Sequence, residues 1–448
     1  MIFAVVLFIA GYALIALEHP LKVHKSATAI MLAAAVWVFY VFAGEKVFLF
    51  TEFTEHFNHY QIANPQGSFF DFVAQQELIK HLGEIAEILF FLMGAMTIVE
   101  VIDQHGGFSV ITDRIGTNNK RQLLWRLSIL TFFLAALLDN LTTAIVMCTL
   151  LRKLVYNKKE RWLFAGLIVL AANSGGIWSP IGDLTTIMLW IGGEVSIKHL
   201  VLRTFIPSVV SLLVPLLVIS HKMKGNFERS ATSFAEGNHE LSAKTRNFVF
   251  FFGIGCFLFV PVFKSITHLP PFVGMMAALG IFWFVTERLH RKYTQREKYT
   301  ISNIISKIDT SSILFFLGIL LAVAGLQSMG YLNLLAHWLS GTFNDNVYSI
   351  NIVIGILSSM IDNVPLVAGV MGMYPLSVYP MDHDFWLFLS YCAGAGGNML
   401  IIGSAAGIAV MGMERMDFIW YLKKISLWAL IGYLAGAGTF ILLNHFVY

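Results

Sequence analysis

The chain has 448 residues, of which 57% are hydrophobic and only 13% are charged, and its formal net charge is +3. Soluble domains average about 25% charged residues, so this composition excludes an ordinary soluble domain and predicts a membrane protein surrounded by lipid. A net charge this small gives no indication of a nucleic-acid partner. The apolar N-terminus, Met1 to Leu17, has no charged leader region, which favours a first membrane span over a cleaved signal peptide.

Apolar runs of helical length are the predicted membrane elements, because a spanning helix needs about 20 residues. Polar connections outside the membrane are predicted at 44–82 and 287–309. The apolar runs lie near residues 1–17, 27–43, 83–102, 127–151, 162–191, 199–220, 247–264, 270–286, 310–327, 348–373, 385–410 and 418–445.

The run 162–191 is interrupted by the segment 173–186, which reads NSGGIWSPIGDLTT. Its glycines, Pro180 and Asp183 would break a helix in the middle of the bilayer. Broken backbone at that depth is tolerated only where it is buried in protein or lines a cavity. An ionisable residue there marks a functional site. We therefore predict a broken helix at the site, the alternative being a polar loop between two short spans.

The same interruption recurs in the run 385–410, where residues 394–407 read GAGGNMLIIGSAAG. Two further landmarks recur in the same order with nearly the same offset, which indicates an internal duplication. The predicted repeats are 1–222 and 247–448, joined by a cytoplasmic linker, 223–246. Paired interrupted segments in two halves point to a transporter binding site. The matched landmarks are Gly175-Gly176 with Gly396-Gly397, Asp139-Asn140 with Asp362-Asn363, and the segment ILFFL at 88–92 and 313–317.

The runs 127–151 and 348–373 carry an Asp-Asn pair at their centres, and each is either one span or a re-entrant hairpin. Both flanks of the first run are rich in Lys and Arg, which predicts that both are cytoplasmic and that the run is a hairpin. Both flanks of the second run lack Lys and Arg and are predicted to be external. Arms of 10–14 residues would reach the middle of the bilayer without crossing it.

Two hairpins and ten crossings place both termini on the outside. Each repeat then has five spans, an odd number, so the repeats have opposite orientations. The predicted fold is an all-α polytopic membrane protein with two inverted-topology repeats, each of five spans with one re-entrant hairpin and one broken helix. Of the 30 Lys and Arg residues, 25 fall in the predicted cytoplasmic loops 18–26, 103–126, 152–161, 221–246, 287–309 and 411–424.

Polar side chains from the hairpins and broken spans are expected to meet near the middle of the membrane. Their carboxylate, amide and hydroxyl oxygens suit a hard cation such as Na⁺. No Lys or Arg lies at the centres of these elements, which argues against an anion. For Asp139 and Asp362, helix capping alone is the alternative. The candidates are Asp139, Asn140, Thr142, Thr143, Asn173, Ser174, Asp183, Thr185, Thr186, Ser358, Ser359, Asp362, Asn363, Asn398 and Ser404.

Buried carboxylates near the middle of the membrane would couple transport to protons. Two aspartates close together in a low dielectric do not both stay ionised. Such a group takes up either H⁺ or Na⁺, and competition between the two ions is sufficient for exchange. Glu84 and Glu87 share one helix face and are candidates for a proton path, and Asp309-Thr310 begins the corresponding span of the second repeat. For His81 and His105 we expect solvated interfacial positions rather than pH sensing.

The segment 138–143, LDNLTT, together with 173–186, resembles the NhaD family of bacterial sodium/proton antiporters. That family belongs to the ion transporter superfamily, which also contains dicarboxylate and citrate carriers and arsenite pumps. The resemblance covers essentially the whole chain, including Glu18-His-Pro20 and residues 22–26. It implies a secondary transporter rather than an enzyme, which exchanges Na⁺ and Li⁺ for H⁺ across the bacterial inner membrane, contributes to pH homeostasis and uses no cofactor.

The resemblance further implies a scaffold and a mobile transport domain in a homodimer, with alternating access and periplasmic termini. The alternative is a sodium-coupled dicarboxylate or citrate carrier, or an arsenite transporter, although anion carriers tend to have Ser-Asn-Thr tips and this chain has Asp at both. An intramembrane aspartyl protease is disfavoured, because Asp183 follows Ser179-Pro-Ile-Gly rather than Gly-x-Gly and a protease would have no use for the duplicated hairpin. Na⁺ is assigned to Asp139, Asn173, Asp183 and Asn363. Ion-binding or proton-coupling roles are implied for Asp139, Asn173, Asp183, Thr185 and Thr186, and more weakly for Asp309, Thr310, Ser358, Asn363 and Asn398.

Overall fold

The structure is a computed structural model, and its described residues form helices and no β-strand. One isolated bridge joins Asn119 to Asn226. The Glu18-His-Pro20 motif and most of the linker 223–246 lie outside the described residues. The structure describes residues 2–16, 22–44, 51–112, 117, 119–155, 157–223, 225–226, 241–290, 301–306 and 308–447.

The helices follow the predicted apolar runs closely, and both broken spans are interrupted where the sequence indicates. Two helices contain a π-helical turn, at Phe72–Leu78 and Leu422–Ser426. In chain order the helices are α1 (Ile2–Ala16), α2 (Lys25–Ala43), α3 (Thr51–Ala63), α4 (Phe69–Gln104), α5 (Ser109–Thr112), α6 (Lys120–Leu138), α7 (Asn140–Leu154), α8 (Lys158–Gly176), α9 (Leu184–Gly192), α10 (Ile197–Lys222), α11 (Ala243–Thr267), α12 (Pro271–His290), α13 (Ile301–Ile305), α14 (Thr310–Ser328), α15 (Tyr331–Phe343), α16 (Val347–Ser358), α17 (Asn363–Met373), α18 (Asp384–Gly396), α19 (Ala405–Glu414) and α20 (Phe418–Phe446).

In the described part of the chain, 8 helices are long and apolar enough to cross a membrane. They are α2, α4, α6, α10, α11, α12, α14 and α20. The arms on either side of the interruptions, such as α7, α16, α17 and α19, are shorter apolar helices. The all-α polytopic membrane fold is therefore confirmed, while the count of ten crossings stays a prediction.

Residues 69–82, at the end of the predicted polar connection 44–82, are helical, because α4 begins at Phe69 and continues into the predicted span. A capping box starts this helix: Ser68 Oγ accepts from the Asp71 amide at 3.2 Å, and Asp71 Oδ2 accepts from the Ser68 amide at 2.9 Å. Phe57 packs edge-on against Phe69, with ring centroids 5.2 Å apart. Apolar residues at helical spacing thus extend the helix through a segment of polar composition.

The chain divides into two compact units that are not the two predicted repeats, since each unit contains segments of both. Unit 1 consists of Met1–Met93, Asp309–Asn346 and Val367–Tyr379. Unit 2 consists of Gly94–Ile308, Val347–Leu366 and Pro380–Tyr448.

Close packing of α2 against α14 builds the centre of unit 1. Trp37 Nε1 donates to the Leu321 carbonyl at 2.8 Å, and Ser26 Oγ donates to the Ser311 carbonyl at 2.6 Å. A methyl group on Gly318 would lie 2.6 Å from the Ala29 carbonyl carbon, so the two backbones touch at this point. Only a glycine permits such an approach.

In unit 2 the helices α6 and α7 meet at Asp139, which has a φ of +83°. Lys120, at the start of α6, pairs with Glu160 at 2.6 Å, just beyond the end of α7 at Leu154. The far ends of both helices therefore lie at the same end of unit 2, which is the geometry of a hairpin. The α6 arm has 19 residues and exceeds the expected 10–14, because the basic segment 120–126 is helical as well.

Each broken helix touches the backbone of the first arm that precedes it. A methyl group on Gly175 would lie 2.1 Å from the Phe132 carbonyl oxygen, and one on Gly396 would lie 2.0 Å from that of Gly355. Phe132 and Gly355 each lie seven residues before a tip aspartate. The two halves of the sequence thus use the same glycine contact at corresponding positions.

A buried ion cluster joins three elements at the end of unit 2 that carries Lys120. The Glu414 side chain is fully buried at the end of α19 and accepts from Arg152 Nε at 2.8 Å and from Arg161 Nε at 2.5 Å. Trp162 Nε1 donates to the Glu414 carbonyl at 3.0 Å. The predicted cytoplasmic segments 152–161 and 411–424 therefore lie together.

Candidate functional site

Asp183 stands at the start of α9, directly after the glycine-rich break, and is only 2% exposed. Its Oδ1 accepts from the Thr185 amide at 3.1 Å, and its own amide donates to Thr186 Oγ1 at 3.2 Å. This capping box fixes the helix start and therefore the direction of the carboxylate.

The other carboxylate oxygen of Asp183 receives amide groups from both tips. Oδ2 accepts from Asn140 Nδ2 at 2.9 Å and from Asn363 Nδ2 at 3.2 Å. Asn140 and Asn363 each follow a tip aspartate and correspond in the duplication. One buried carboxylate is thus held by both halves of the sequence.

Asn173 joins the two broken spans. Its Oδ1 accepts from Asn140 Nδ2 at 3.1 Å, and its Nδ2 donates to Asn398 Oδ1 at 3.0 Å and to Ser404 Oγ at 2.9 Å. Asn398 in turn donates to Ser174 Oγ at 3.5 Å. The interruptions of both halves therefore share one hydrogen-bond network.

These side chains form a single buried polar group within unit 2, which we call the Asp183 cluster. None of the described hydrogen bonds to Asp183 comes from Lys or Arg. The oxygens are those of one carboxylate, amides and hydroxyls, a set that suits a hard monovalent cation. The cluster consists of Asn140, Asn173, Ser174, Asp183, Asn363, Asn398 and Ser404.

The tip aspartates are buried and act as helix caps. Asp139 is 8% exposed, and its two oxygens accept from the Thr142 amide at 2.8 Å and the Thr142 hydroxyl at 2.9 Å. Asp362 is 7% exposed and accepts from the Val364 amide at 3.3 Å. Both tip aspartates therefore cap the helices that follow them.

Two threonine hydroxyls at these helix starts have no hydrogen-bond partner among the described residues, namely Thr143 Oγ1 and Thr185 Oγ1. Buried hydroxyls are almost always paired, so an orphaned one needs an explanation. A cation that takes oxygen ligands would supply it.

Two predicted serines have local structural partners. Ser358 Oγ donates to the Ala393 carbonyl at 2.8 Å and so ties the second tip to α18. Ser404 caps α19 by accepting from the Gly407 amide at 3.1 Å, in addition to its bond with Asn173. Ser404 is thus part of the Asp183 cluster, whereas Ser358 supports its backbone.

Ser359 of unit 2 donates to the Ile356 carbonyl at 2.7 Å, and the other four predicted residues lie in unit 1. Asp309 caps α14 by accepting from the Ser312 amide at 3.1 Å, and Thr310 next to it is exposed. Glu84 lies 3.2 Å from His81 Nδ1, and Glu87 is half-buried one turn further along α4.

The expectation of solvated histidines is wrong. His81 is 7% exposed because its ring packs near Trp37 and its Nε2 lies 3.0 Å from Ser328 Oγ. His105, in unit 2, is 1% exposed and donates through Nδ1 to the Val101 carbonyl at 2.6 Å. Local sequence places both at the edges of an apolar run, but residues elsewhere in the fold cover His81.

Among the described residues, no three His, Cys, Asp or Glu side chains converge as a metal site. The Asp183 cluster therefore lacks the several carboxylates or nitrogen and sulfur ligands of a resident divalent metal.

The sequence missed Ser211, whose hydroxyl lies 3.1 Å from that of Ser174 and extends the cluster to α10. Ser211 Oγ also donates to the Ser208 carbonyl at 2.9 Å. The sequence feature that could have indicated Ser211 is its position between two prolines, Pro207 and Pro215, within an apolar span.

Comparison with known proteins gives the family. The model of the CitMHS family, described as citrate transporter, matches residues 12–389. The chain is 42% identical to sodium/proton antiporter 1 of Arabidopsis thaliana, over 98% of this chain and 72% of that protein. It is 40% identical to sodium/proton antiporter 2 of the same plant, over 98% and 99%.

It is also 31% identical to the Na(+)/H(+) antiporter NhaD of Vibrio cholerae, over 99% of this chain and 91% of that protein. The chain belongs to the NhaD-type antiporter family. The resemblance in the sequence is thereby confirmed, and this NhaD-type protein is a multi-pass membrane transporter and not an enzyme. The CitMHS match ends before Asn398 and Ser404, whose place in the Asp183 cluster comes from the structure.

Proposed function

We propose that this protein exchanges Na⁺ for H⁺ across a membrane and also carries Li⁺. The observation that carries the proposal is the buried Asp183 carboxylate, which receives Asn140 and Asn363 and, among its described hydrogen bonds, no basic side chain. Relatives of nearly the same length are named sodium/proton antiporters. A single buried carboxylate accepts either a proton or a monovalent cation, and this competition couples the two ions.

The asparagine side chains of the cluster can present either N–H groups or oxygens. An asparagine side chain carries both a donor and an acceptor. In the described arrangement Asn140 and Asn363 present N–H groups to Asp183. Rotation of either amide presents its oxygen, so the same side chains serve a cation when one is bound.

We assign Na⁺ to Asp139, Asn173, Asp183 and Asn363, as the resemblance implies. The orphaned hydroxyls of Thr143 and Thr185 are further oxygen donors. The other predicted residues support the ligands: Asn140, Ser174, Asn398 and Ser404 orient the amides, Thr186 holds the helix start, and Asp362 caps the second tip.

We further propose the inverted-repeat topology with two re-entrant hairpins and both termini outside. Segments predicted to be cytoplasmic contact each other through Lys120 with Glu160 and Arg161 with Glu414. On the predicted external side, the Ser196 amide donates to Asp382 Oδ1 at 2.6 Å. These contacts all lie within unit 2, and each joins segments that Lys and Arg counting places on one side.

Alternating access in a homodimer and residence in a bacterial inner membrane complete the proposal. The relative from Vibrio cholerae supports a bacterial membrane. An energised membrane of any kind would supply the proton gradient that antiport requires, and the Arabidopsis relatives show that the family is not confined to bacteria.

Carriage of citrate or another dicarboxylate is the competing function, because the matching family model is described as citrate transporter. An anion of this kind favours Arg, or Lys as a point charge. The described hydrogen bonds of the Asp183 cluster contain neither, and its only carboxylate would repel the substrate.

Everted membrane vesicles with an internal pH probe test the proposal. Addition of NaCl or LiCl should move protons, and addition of citrate or succinate should not. Asp183→Asn should abolish the response, because an amide neither takes up a proton nor neutralises Na⁺. The matched control is Asp417→Asn, another helix-capping aspartate, which is exposed and accepts from the Trp420 amide at 2.9 Å. Sodium-dependent uptake of labelled citrate without proton movement would overturn the proposal.

A further inference from the structure

The end of α9 opposite Asp183 carries a second buried carboxylate, that of Glu194. Glu194 is 7% exposed, and its Oε2 has no hydrogen-bond partner among the described residues. Its amide donates to the Leu189 carbonyl at 3.0 Å and so closes the last turn of α9. A buried carboxylate oxygen without a donor is costly when ionised.

A lysine from another helix holds the same end of α9. Lys264 of α11 donates through Nζ to the Trp190 carbonyl at 2.9 Å and lies 4.6 Å above the centre of the Trp190 ring. A cation at the C-terminus of a helix is favourable, because the unpaired carbonyls there carry partial negative charge. Asp183 caps the other end of α9, which has only nine residues and is therefore about 14 Å long.

Asp382 binds the main chain of Glu194 and links it to His199. The Asp382 amide donates to the Glu194 carbonyl at 2.8 Å, and the Asp382 carboxylate pairs with His199 Nδ1 at 2.9 Å. Burial raises the pKa of Glu194 to about 7, against the smaller opposing effects of its own backbone amide and of the Lys264 charge. Glu194 is therefore neutral in acid and ionised in alkali, with the change near neutral pH.

We propose that Glu194 is a proton-binding group separate from the Asp183 cluster and that, together with Lys264, it positions α9. When Glu194 is neutral, Lys264 keeps its hydrogen bond to the Trp190 carbonyl. When Glu194 ionises, its unpaired oxygen competes for the Lys264 ammonium group and the end of α9 loosens. The consequence for transport rests on the proposed function, because it assumes that Asp183 binds the exchanged ions.

The direction of the pH effect follows from the raised pKa. Between the ordinary pKa of 4.5 and about 7, an unfolded Glu194 loses its proton while the folded one keeps it, so the local stability of this end falls as pH rises. Above about pH 7 the folded Glu194 is ionised as well, and the local stability that its proton provides is fully lost. Alkaline pH therefore makes α9, which Asp183 caps, more mobile and raises the rate of Na⁺/H⁺ exchange.

Hydrogen exchange tests the positioning without any transport assay. In the purified full-length protein, the amides of Glu194 and Val195 both donate to the Leu189 carbonyl. At about pH 8.5, Glu194→Gln should slow their exchange about fivefold relative to the natural protein, and at about pH 5.5 the two proteins should match. In Lys264→Met the same two amides should exchange rapidly with solvent at both pH values. Equal exchange of Glu194→Gln and the natural protein at about pH 8.5 would overturn the proposal.

Proteoliposomes with equal pH on both sides test the consequence for rate. The natural protein should become faster between about pH 5.5 and 8.5, and Glu194→Gln should lose this rise while its half-saturating Na⁺ concentration stays that of the natural protein. His199→Gln, which changes the neighbouring pair, should keep the rise. A Glu194→Gln protein with the natural pH profile would refute the proton-binding role. Absence of sodium-driven proton movement in the natural protein would instead refute the proposed function, and the hydrogen-exchange result would stand on its own.

Discussion

Asn173 Nδ2 donates to Asn398 Oδ1 across 3.0 Å, although 225 residues separate them in the chain. Each amide lies at the interruption of a broken helix, one in each half of the sequence. Because both are fully or nearly fully buried, the bond exists only if the two interruptions meet inside the protein. The candidate site is therefore shared by the two halves.

Asn398→Ala should weaken Na⁺ binding. It leaves Asn173 Nδ2 with Ser404 as its remaining described acceptor, and a lost buried partner costs about 1–3 kcal/mol, or roughly 5- to 150-fold in affinity. The half-saturating Na⁺ concentration in vesicles measures the effect. Asn351→Ala is the matched control, since that buried amide donates only to main-chain carbonyls, those of Val347 and Phe385, among its described bonds. An equal loss of Na⁺ affinity in both variants would show a general packing defect rather than a role of Asn398 in the site.

Asp139→Asn separates capping from ion binding. Asparagine is as good an N-cap as aspartate, so a residue that only caps α7 would tolerate the change. We expect cation-dependent proton movement to be lost while the protein remains in the membrane. Exchange at the natural rate and affinity would mean that Asp139 serves only the Thr142 amide and hydroxyl.

Na⁺ and H⁺ should compete for the same carboxylates. The half-saturating Na⁺ concentration should then fall as pH rises between about 7 and 9.5, by up to about tenfold per unit for each proton displaced, and later flatten. Vesicle assays at several pH values measure it. A half-saturating concentration that stays constant while the maximal rate climbs would show that the two ions do not share these groups.

Gly396→Ala should disrupt the second half of the site. The added methyl group would lie 2.0 Å from the Gly355 carbonyl oxygen, and backbone cannot yield as a flexible side chain would. Overpacking of this kind costs about 1–3 kcal/mol or more, so we expect a lower melting temperature in detergent and loss of exchange. Gly280→Ala in α12 is the control, because its methyl group would meet nothing within 4 Å.

Cysteine probes should establish the first hairpin. Arg121 and Lys159 are exposed near the start of α6 and the start of α8. With the buried Cys148, Cys256 and Cys392 replaced, Arg121→Cys and Lys159→Cys should both be labelled from the cytoplasm. Labelling from opposite sides would make 127–151 a single span and remove the inverted repeat.

The sequence by itself determined the membrane class, the interrupted elements and most of the cluster. Those features are local: twenty apolar residues define a span, and glycines with an aspartate define a break. The duplication then indicated that Asn140 and Asn363 occupy corresponding places, and the structure puts both amides on Asp183.

Only the tertiary structure decided which polar groups are partners. Ser211 reaches Ser174, and Ser328 covers His81, from positions that no local pattern connects. Lys264 is brought to the Trp190 carbonyl in the same way, across 74 residues. A hydrogen bond requires two atoms about 3 Å apart, and that proximity depends on how helices pack rather than on the composition of any one of them.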